Sequence, residues 1–225
     1  GSELGPKALF LALKEYAKAN SSQYMTADFL SNIDPDEGVS KLNDIAIEQT
    51  LFIIVSKSGS TMETSENVNL LKEIAGKRGL SKDELRDQTI IITTPNSKLD
   101  NRELAENIFY MDDSVGGRYS ASSAVGEVVL SLAFGHEYFE QLLDGAAEID
   151  QNALTEVPTQ NLSLMAALIE SYEQTILNTT AKAIIPYSYA LREFPAHLQQ
   201  LECESNGKSV TRTGDAVSQR TSTVI

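Results

Sequence analysis

The order of apolar and polar positions along the chain predicts helices that alternate with short buried strands. Leu4–Ala19 carries apolar residues at helical spacing, and a second helix is predicted at Met62–Lys77. Three runs rich in β-branched and aromatic residues are too short for helices and are typical of strands buried on both faces. These runs are residues 50–56, 88–94 and 107–111. Strands separated by helices predict right-handed crossovers and a mostly parallel sheet.

The remaining segments complete the predicted order of elements. Further helices are expected at residues 36–47, 81–87, 96–106, 122–134, 137–148, 162–177 and 189–201, and further strands at 24–31 and 181–187. We therefore predict an α/β fold, a three-layer sandwich with a mostly parallel sheet flanked by helices, plus a helical extension. The expected boundaries are an α/β domain at residues 1–150, and a helical extension at 151–225 that ends on a strand leading onward. The chain starts with Gly-Ser instead of Met and ends on an apolar run, so we expect it to be part of a longer protein.

Composition and charge narrow the classes of function. The 225 residues include 18 Lys and Arg against 32 Asp and Glu, which gives a formal net charge of −14. Nucleic-acid binding depends on clustered basic residues, so we expect no nucleic-acid partner. No apolar run approaches the roughly 18 residues that a membrane-spanning helix needs, so we expect no membrane partner. A single cysteine predicts a reducing and therefore cytoplasmic setting.

The strongest local signal is the hydroxyl-rich segment SKSGSTMET at residues 56–64, which directly follows a predicted strand. Ser60 and Glu63 have the spacing of a capping box, which predicts that a helix begins here. A hydroxyl-rich turn at a helix N-terminus and at the carboxyl end of a parallel strand is typical of a phosphate site. An ordinary capped turn has the same composition, and the residues alone favour neither interpretation. The glycine spacing differs from that of a Walker loop.

Two further segments carry candidate chemistry. Gly116, Gly117 and Arg118 follow the third predicted strand, where glycines allow a ligand to approach closely and an arginine offers a planar fork to oxygen anions. A glycine-rich turn with a solvated arginine is the alternative. Glu204 lies between a predicted helix and an Asn-Gly turn signal, so it is a candidate general base, although an exposed acidic residue is the commoner case.

The remaining reactive side chains are interpreted as structural. His136 and His197 are the two histidines of the chain, and Cys203 is its one cysteine, read as inert packing. Histidine and cysteine residues do not occur at the spacing of a metal site, so we expect no bound metal.

Four segments taken together resemble the glucose-6-phosphate isomerase family. In chain order they are GSELGP at residues 1–6, SKSGSTMET at 56–64, GGRYS at 116–120, and Gln200 followed by ESNGK at 204–208. The resemblance runs through nearly the whole chain. It implies a pair of sugar-isomerase (SIS) domains of flavodoxin-like architecture, of which this chain would supply the first. It also implies a longer, homodimeric protein.

The resemblance implies roles for individual residues. Phosphate contacts are implied for Ser2, Ser56, Lys57, Ser58 and Thr61. Gly117 and Gln200 would lie against the substrate, and Arg118 would stabilise the charge of an enediolate. Glu204 would move a proton between C2 and C1 of the open sugar. The implied reaction is the glycolytic interconversion of D-glucose 6-phosphate and D-fructose 6-phosphate, without a metal or redox cofactor.

Departures from the family pattern limit these expectations. The family's ring-opening histidine and a second basic residue lie outside this chain, so the 225 residues alone are expected to have little or no activity. The segment Ser58-Gly59-Ser60 replaces the bulkier loop centre of many members, and Cys203 stands where methionine is usual. Two alternatives stay open, namely an aminosugar-phosphate isomerase domain and a noncatalytic sugar-phosphate sensor that keeps the loop for binding.

Overall fold

The computed structural model of the protein describes residues 3–224. The α-helices are α1 (Leu4–Ala19), α2 (Pro35–Asp44), α3 (Met62–Lys77), α4 (Lys82–Asp87), α5 (Ala124–Phe134), α6 (His136–Ala153), α7 (Leu162–Thr175) and α8 (Phe194–Gln199). The strands are β1 (Phe52–Val55), β2 (Thr89–Thr93) and β3 (Asn107–Tyr110). Short 3₁₀-helices lie at Ile47–Gln49, Gly117–Ser122, Pro158–Gln160 and Tyr189–Leu191, and a π-helix at Gln200–Asn206 directly follows α8.

The three strands form one parallel sheet in chain order. Phe52 of β1 pairs with Thr89 of β2, and Ile90 of β2 pairs with Asn107 of β3. Every residue of β2 is buried, as expected for the central strand of a parallel sheet whose faces are covered by helices. The predicted α/β fold, a parallel sheet flanked by helices, is confirmed.

One hydrophobic cluster holds α2 and α3 against the sheet. Its buried members are Leu42, Ile47, Leu71, Ile74 and Ala75, and Phe52 of β1 packs against them. Burying each large aliphatic side chain contributes about 1.5–3 kcal/mol. Because both β1 and α3 are fixed by this packing, the short connection between them has a defined position.

Three predictions in the first half of the chain are wrong. Residues 24–31 form an irregular connection instead of a strand, and the helix predicted at 36–47 ends at Asp44. Residues 96–106 form turns instead of a helix. There the N–H of Asn96 donates to the Asp100 carboxylate at 2.8 Å, and the N–H of Glu103 donates to the side-chain oxygen of Asn101 at 2.9 Å. Such local side-chain bonds compete with helical main-chain bonds.

Two predictions in the second half also need correction. Residues 181–187 contribute only a single parallel bridge, between Ala181 and Val224, instead of a strand. The helix predicted at 189–201 is interrupted between Tyr189–Leu191 and α8. Pro195 explains the interruption, because its ring would meet the carbonyl of Leu191 in a continuous helix. In the structure Pro195 occupies the first turn of α8, where proline is tolerated.

The chain divides into two compact units. Among the described residues, the first comprises Thr26–Val129 together with residues 3–6, and it contains the sheet. The second comprises Lys7–Met25 and residues 130–224, and it contains α6, α7, α8 and the π-helix. The predicted division into residues 1–150 and 151–225 stays a prediction. Among residues 3–224, no helix is both long enough and apolar enough to cross a membrane.

Candidate functional site

The connection from β1 to α3, here called the hydroxyl loop (residues 56–61), folds upon its own hydroxyl groups. The Ser56 hydroxyl is 3.1 Å from the Thr61 hydroxyl and accepts the N–H of Gly59 at 3.2 Å. The Ser58 hydroxyl is 2.7 Å from the Ser60 hydroxyl and accepts the N–H of Ser60 at 3.2 Å. These bonds close a tight turn immediately after the last residue of β1.

The first turn of α3 carries no side-chain cap. Thr61 is the N-cap residue, and within the described part of the chain no side chain hydrogen-bonds to the N–H groups there as a cap. The capping box predicted from Ser60 and Glu63 is therefore wrong, since the Ser60 hydroxyl pairs with Ser58 instead. Helix N-terminal N–H groups without a side-chain cap attract anions, because they carry the positive end of the helix dipole.

Gly59 is required by the shape of the hydroxyl loop. Its φ of +65° lies in the left-handed region, where glycine avoids the strain that other residues suffer. A Cβ atom at this position would lie 2.8 Å from the main-chain nitrogen of Leu99 and 3.0 Å from that of Lys98. The turn at residues 97–100 therefore packs directly against the loop.

A cleft of about 500 Å³ opens at the carboxyl ends of the strands in the first unit. Five residues that the sequence assigned to the substrate line it: Ser56, Lys57, Ser58, Thr61 and Gly117. Thr64, Thr94 and Asp113 also line the cleft and were not predicted. Thr94 directly follows β2, and its place in the cleft could have been inferred, because adjacent parallel strands end at one edge of the sheet.

Lys57 links the hydroxyl loop to the segment that follows β3. Its ammonium group donates to the main-chain carbonyl of Asp113. Nearby, the hydroxyl and the N–H of Ser114 donate to the Asp112 carboxylate and lower the pKa of Asp112, with a smaller contribution from the charge of Lys57. Within the described residues, the cleft is thus lined by one basic side chain, Lys57, and one acidic side chain, Asp113.

Gly117 and Arg118 begin a 3₁₀-helix at Gly117–Ser122. Arg118 follows Gly117 directly and is half-buried, although it is not among the cleft-lining residues in the described part of the chain. Ser120 at the centre of this helix is fully buried, and its carbonyl accepts both the N–H and the hydroxyl of Ser123. These contacts hold the short helix that carries Arg118.

Gln200 and Glu204 lie in the second unit, in the π-helix. The Ser205 hydroxyl donates to the carbonyl of Gln200 at 3.2 Å, and the N–H of Gly207 donates to the carbonyl of Glu202 at 3.1 Å. The main-chain bond of Gly207 spans five residues, which is the spacing of a π turn. Glu204 is exposed and Gln200 is half-buried. Single π turns inside helices often occur at functional positions.

The other predicted residues belong neither to the cleft and its neighbouring 3₁₀-helix nor to the substrate residues of the π-helix. Ser2 lies outside the described residues. His136 is exposed and has Glu140 at 3.7 Å, while burial lowers the pKa of His197. Cys203 is exposed, with its thiol 3.8 Å from the carbonyl of Thr223, so the prediction that it packs inside is wrong. Over residues 3–224 no three His, Cys, Asp or Glu side chains come together as a metal site would need.

Comparison with known proteins places this chain in a family. The model of the phosphoglucose isomerase family matches residues 1–225. Glucose-6-phosphate isomerases from Treponema denticola and Borreliella afzelii are 48% and 46% identical to it over the whole chain, which covers 42% of each relative. The chain thus spans about two fifths of the length of these curated relatives.

Solved structures agree with the sequence comparison. The crystal structure of a glucose-6-phosphate isomerase from Chlamydia trachomatis has a TM-score of 0.90 and 42% identity, over all of this chain and 42% of that one. A hypothetical protein from Thermus thermophilus has a TM-score of 0.81 and 31% identity, with 50% of its chain covered. The resemblance inferred from four motifs is confirmed, and this chain belongs to the phosphoglucose isomerase family.

Proposed function

We propose that the protein containing this chain interconverts D-glucose 6-phosphate and D-fructose 6-phosphate. The observation that carries the proposal is the cleft at the carboxyl ends of the strands, where the hydroxyl loop and Gly117 come together in a member of this family. Sugar phosphates need hydroxyl and N–H donors for the phosphate oxygens, and the cleft offers both.

The phosphate end of the substrate would be held by the hydroxyl loop. The hydroxyls of Ser56, Ser58 and Thr61 would donate to the phosphate oxygens, Lys57 would supply positive charge, and Ser2 would add a further contact. The chain has a net charge of −14, so its overall field opposes an anionic ligand. Binding therefore depends on local groups, namely Lys57 and the N-terminus of α3.

The reacting end of the substrate would be served by Glu204, Arg118 and Gln200, the roles that the family resemblance implies. Glu204 would remove the proton from C2 of the open aldose and return it to C1, while a proton moves between the two oxygens through a cis-enediol. Arg118 would stabilise the negative charge that develops on the enediolate oxygen, and Gln200 would contact the same part of the sugar. This proton transfer is complete without a metal or a redox cofactor.

Several properties of the whole protein belong to the same proposal. We infer a homodimer, a cytoplasmic setting, an SIS-type domain at residues 1–150 and a helical extension at 151–225. Ring opening would require groups beyond this chain. The 225 residues on their own are therefore expected to show little or no isomerase activity.

The replacement Glu204→Gln in the full-length protein tests the proposal. Loss of the base should slow the exchange of the C2 proton with deuterated solvent by at least about 100-fold, because general base catalysis typically contributes that much. Exchange is followed by proton NMR of glucose 6-phosphate, and fructose 6-phosphate binding is measured by calorimetry.

The matched control is Glu148→Gln, which removes an exposed carboxylate from α6 in the same unit. Binding should survive in both variants, and exchange should fall only in Glu204→Gln. Normal exchange in Glu204→Gln would contradict its role as the base. A wild-type protein that binds fructose 6-phosphate without any exchange would be a sensor instead of an isomerase.

A further inference from the structure

Thr93, the last residue of β2, reaches from the sheet interior into the hydroxyl loop. Its relative exposure is 0%, and its hydroxyl lies 2.7 Å from the carbonyl oxygen of Ser56 and 3.3 Å from that of Lys57. Neither carbonyl belongs to a strand or helix. A buried carbonyl without a partner is destabilising, so the Thr93 hydroxyl supports the loop by satisfying the carbonyl of Ser56.

The direction in which the Thr93 hydroxyl donates is set by the neighbouring Ser97 hydroxyl. The Ser97 hydroxyl lies 2.6 Å from it and accepts the N–H of Leu99 at 3.2 Å. A threonine hydroxyl has one proton to donate, so the proton of Thr93 goes to the loop and Ser97 donates to Thr93. The result is a relay from the Leu99 amide through Ser97 and Thr93 to the carbonyl of Ser56.

A second threonine holds the next peptide group. The hydroxyl of Thr94 donates to the carbonyl of Lys57 at 2.8 Å. In a planar trans peptide the N–H points opposite to the C=O of the same group. Because the carbonyls of Ser56 and Lys57 are held by Thr93 and Thr94, the N–H groups of Lys57 and Ser58 point away from those hydroxyls.

We infer that Thr93 is a positioning residue for phosphate binding, which it serves by orienting the peptide groups of the hydroxyl loop without touching the ligand. The inference rests on the proposed function, because it takes the loop to be the phosphate site. It predicts that the Thr93 hydroxyl affects the binding of any ligand through its phosphate, while the chemistry at the sugar carbons is unaffected.

The test compares Thr93→Val and Thr89→Val in the full-length protein. Thr89 lies at the other end of β2, is likewise buried (3% exposed), and donates to the carbonyl of Leu85 at 2.6 Å, so the two variants lose similar hydroxyls from one strand. Thr93→Val should raise the KM for glucose 6-phosphate about tenfold, equivalent to about 1.4 kcal/mol of binding. The inhibition constant of inorganic phosphate should rise by the same factor, and kcat should change less than about twofold, as expected for lost uniform binding.

Three additional variants keep the outcome decisive even if Thr93→Val folds poorly. Thr93→Ser retains the hydroxyl and should restore KM to within about twofold of wild type. Ser97→Ala removes the group that directs the Thr93 proton from a half-buried turn, and should raise KM about threefold. Lys57→Ala reports separately whether the loop binds phosphate at all.

Equal KM values in Thr93→Val, Thr89→Val and wild type, with weakened binding in Lys57→Ala, would overturn the inference and leave the proposed function intact. Wild-type affinity in Ser97→Ala together with poor affinity in Thr93→Ser would also overturn it, because the hydroxyl would then have no orienting role. Unchanged phosphate affinity in Lys57→Ala would overturn both the inference and the phosphate role of the loop.

Discussion

Gly59→Ala tests whether the hydroxyl loop packs against the main chain of Lys98 and Leu99 as closely as the structure shows. The substitution has two costs. A φ of +65° costs a residue with a Cβ about 1–2 kcal/mol. The new Cβ would also lie 2.8 Å from the nitrogen of Leu99, a main-chain atom that cannot rotate away. Overpacking of this kind costs about 1–3 kcal/mol, which brings the total loss to about 2–5 kcal/mol.

Two other glycines separate these costs. Gly79 also has a positive φ, +91°, but a Cβ there meets nothing within 4 Å, so Gly79→Ala should lose only the conformational part. Gly76 lies inside α3 with equally open surroundings, and Gly76→Ala should stabilise by about 0.5–1 kcal/mol. The difference between Gly59→Ala and Gly79→Ala then measures the contact of the loop with residues 98–99.

The assay is urea-induced unfolding of the full-length variants, followed by circular dichroism, together with the KM for glucose 6-phosphate. The expected order of stability is Gly76→Ala, wild type, Gly79→Ala and then Gly59→Ala, with a raised KM only in the last. If Gly59→Ala matched Gly79→Ala in both measurements, the close packing of the 97–100 turn against the loop would be refuted.

Two further predictions concern the π-helix and the cap of α4. Gly207→Ala would place a Cβ 2.5 Å from the carbonyl oxygen of Cys203. We therefore expect a loss of about 1–3 kcal/mol of stability and slower C2 proton exchange. In the control Gly145→Ala the new Cβ meets nothing within 4 Å, so neither effect should appear in the same assays. Glu84 accepts the N–H and the hydroxyl of Ser81, which lowers its pKa below the ordinary 4.5. A carboxyl group with a depressed folded-state pKa contributes stability above its unfolded pKa and loses it as the pH falls through the folded value. Glu84→Gln should therefore be less stable than wild type at pH 7, and urea unfolding should show the difference vanish on acidification below that folded pKa; a constant difference would contradict the role of the charge.

Much of the fold could be predicted because the responsible interactions are local or depend only on burial. The bounds of α1 and α3 agree with the apolar spacing, and the three apolar runs are the three strands of the described sheet. Residues 88–94 are apolar or β-branched at nearly every position, so as a strand they are buried on both faces of the sheet. Burial on both faces implies a sheet covered by helices. Where short polar side chains compete for main-chain groups, as at residues 96–106, spacing alone predicted the wrong element.

The candidate site likewise has features that the sequence predicted and features that it did not. The hydroxyl-rich composition of residues 56–64 and its place after a strand fit both a phosphate site and an ordinary capped turn, and the family resemblance favoured the phosphate site. Pattern alone assigned the cap of α3 to Ser60, although the hydroxyls of the loop satisfy one another and leave that helix end open. Thr64, Thr94 and Asp113 were missed because cleft lining depends on which strand ends are neighbours.

The sequence by itself determined the family, the parallel α/β core and the residue types of the candidate phosphate site, because motifs, apolar runs and composition are properties of short stretches. Only the tertiary structure decided how that site is held. The carbonyl of Ser56 meets the hydroxyl of Thr93 across 37 residues of chain, and Gly59 meets Leu99 across the same edge of the sheet. Contacts of this kind follow from the register between β1 and β2, and register is set by the packing of the whole sheet.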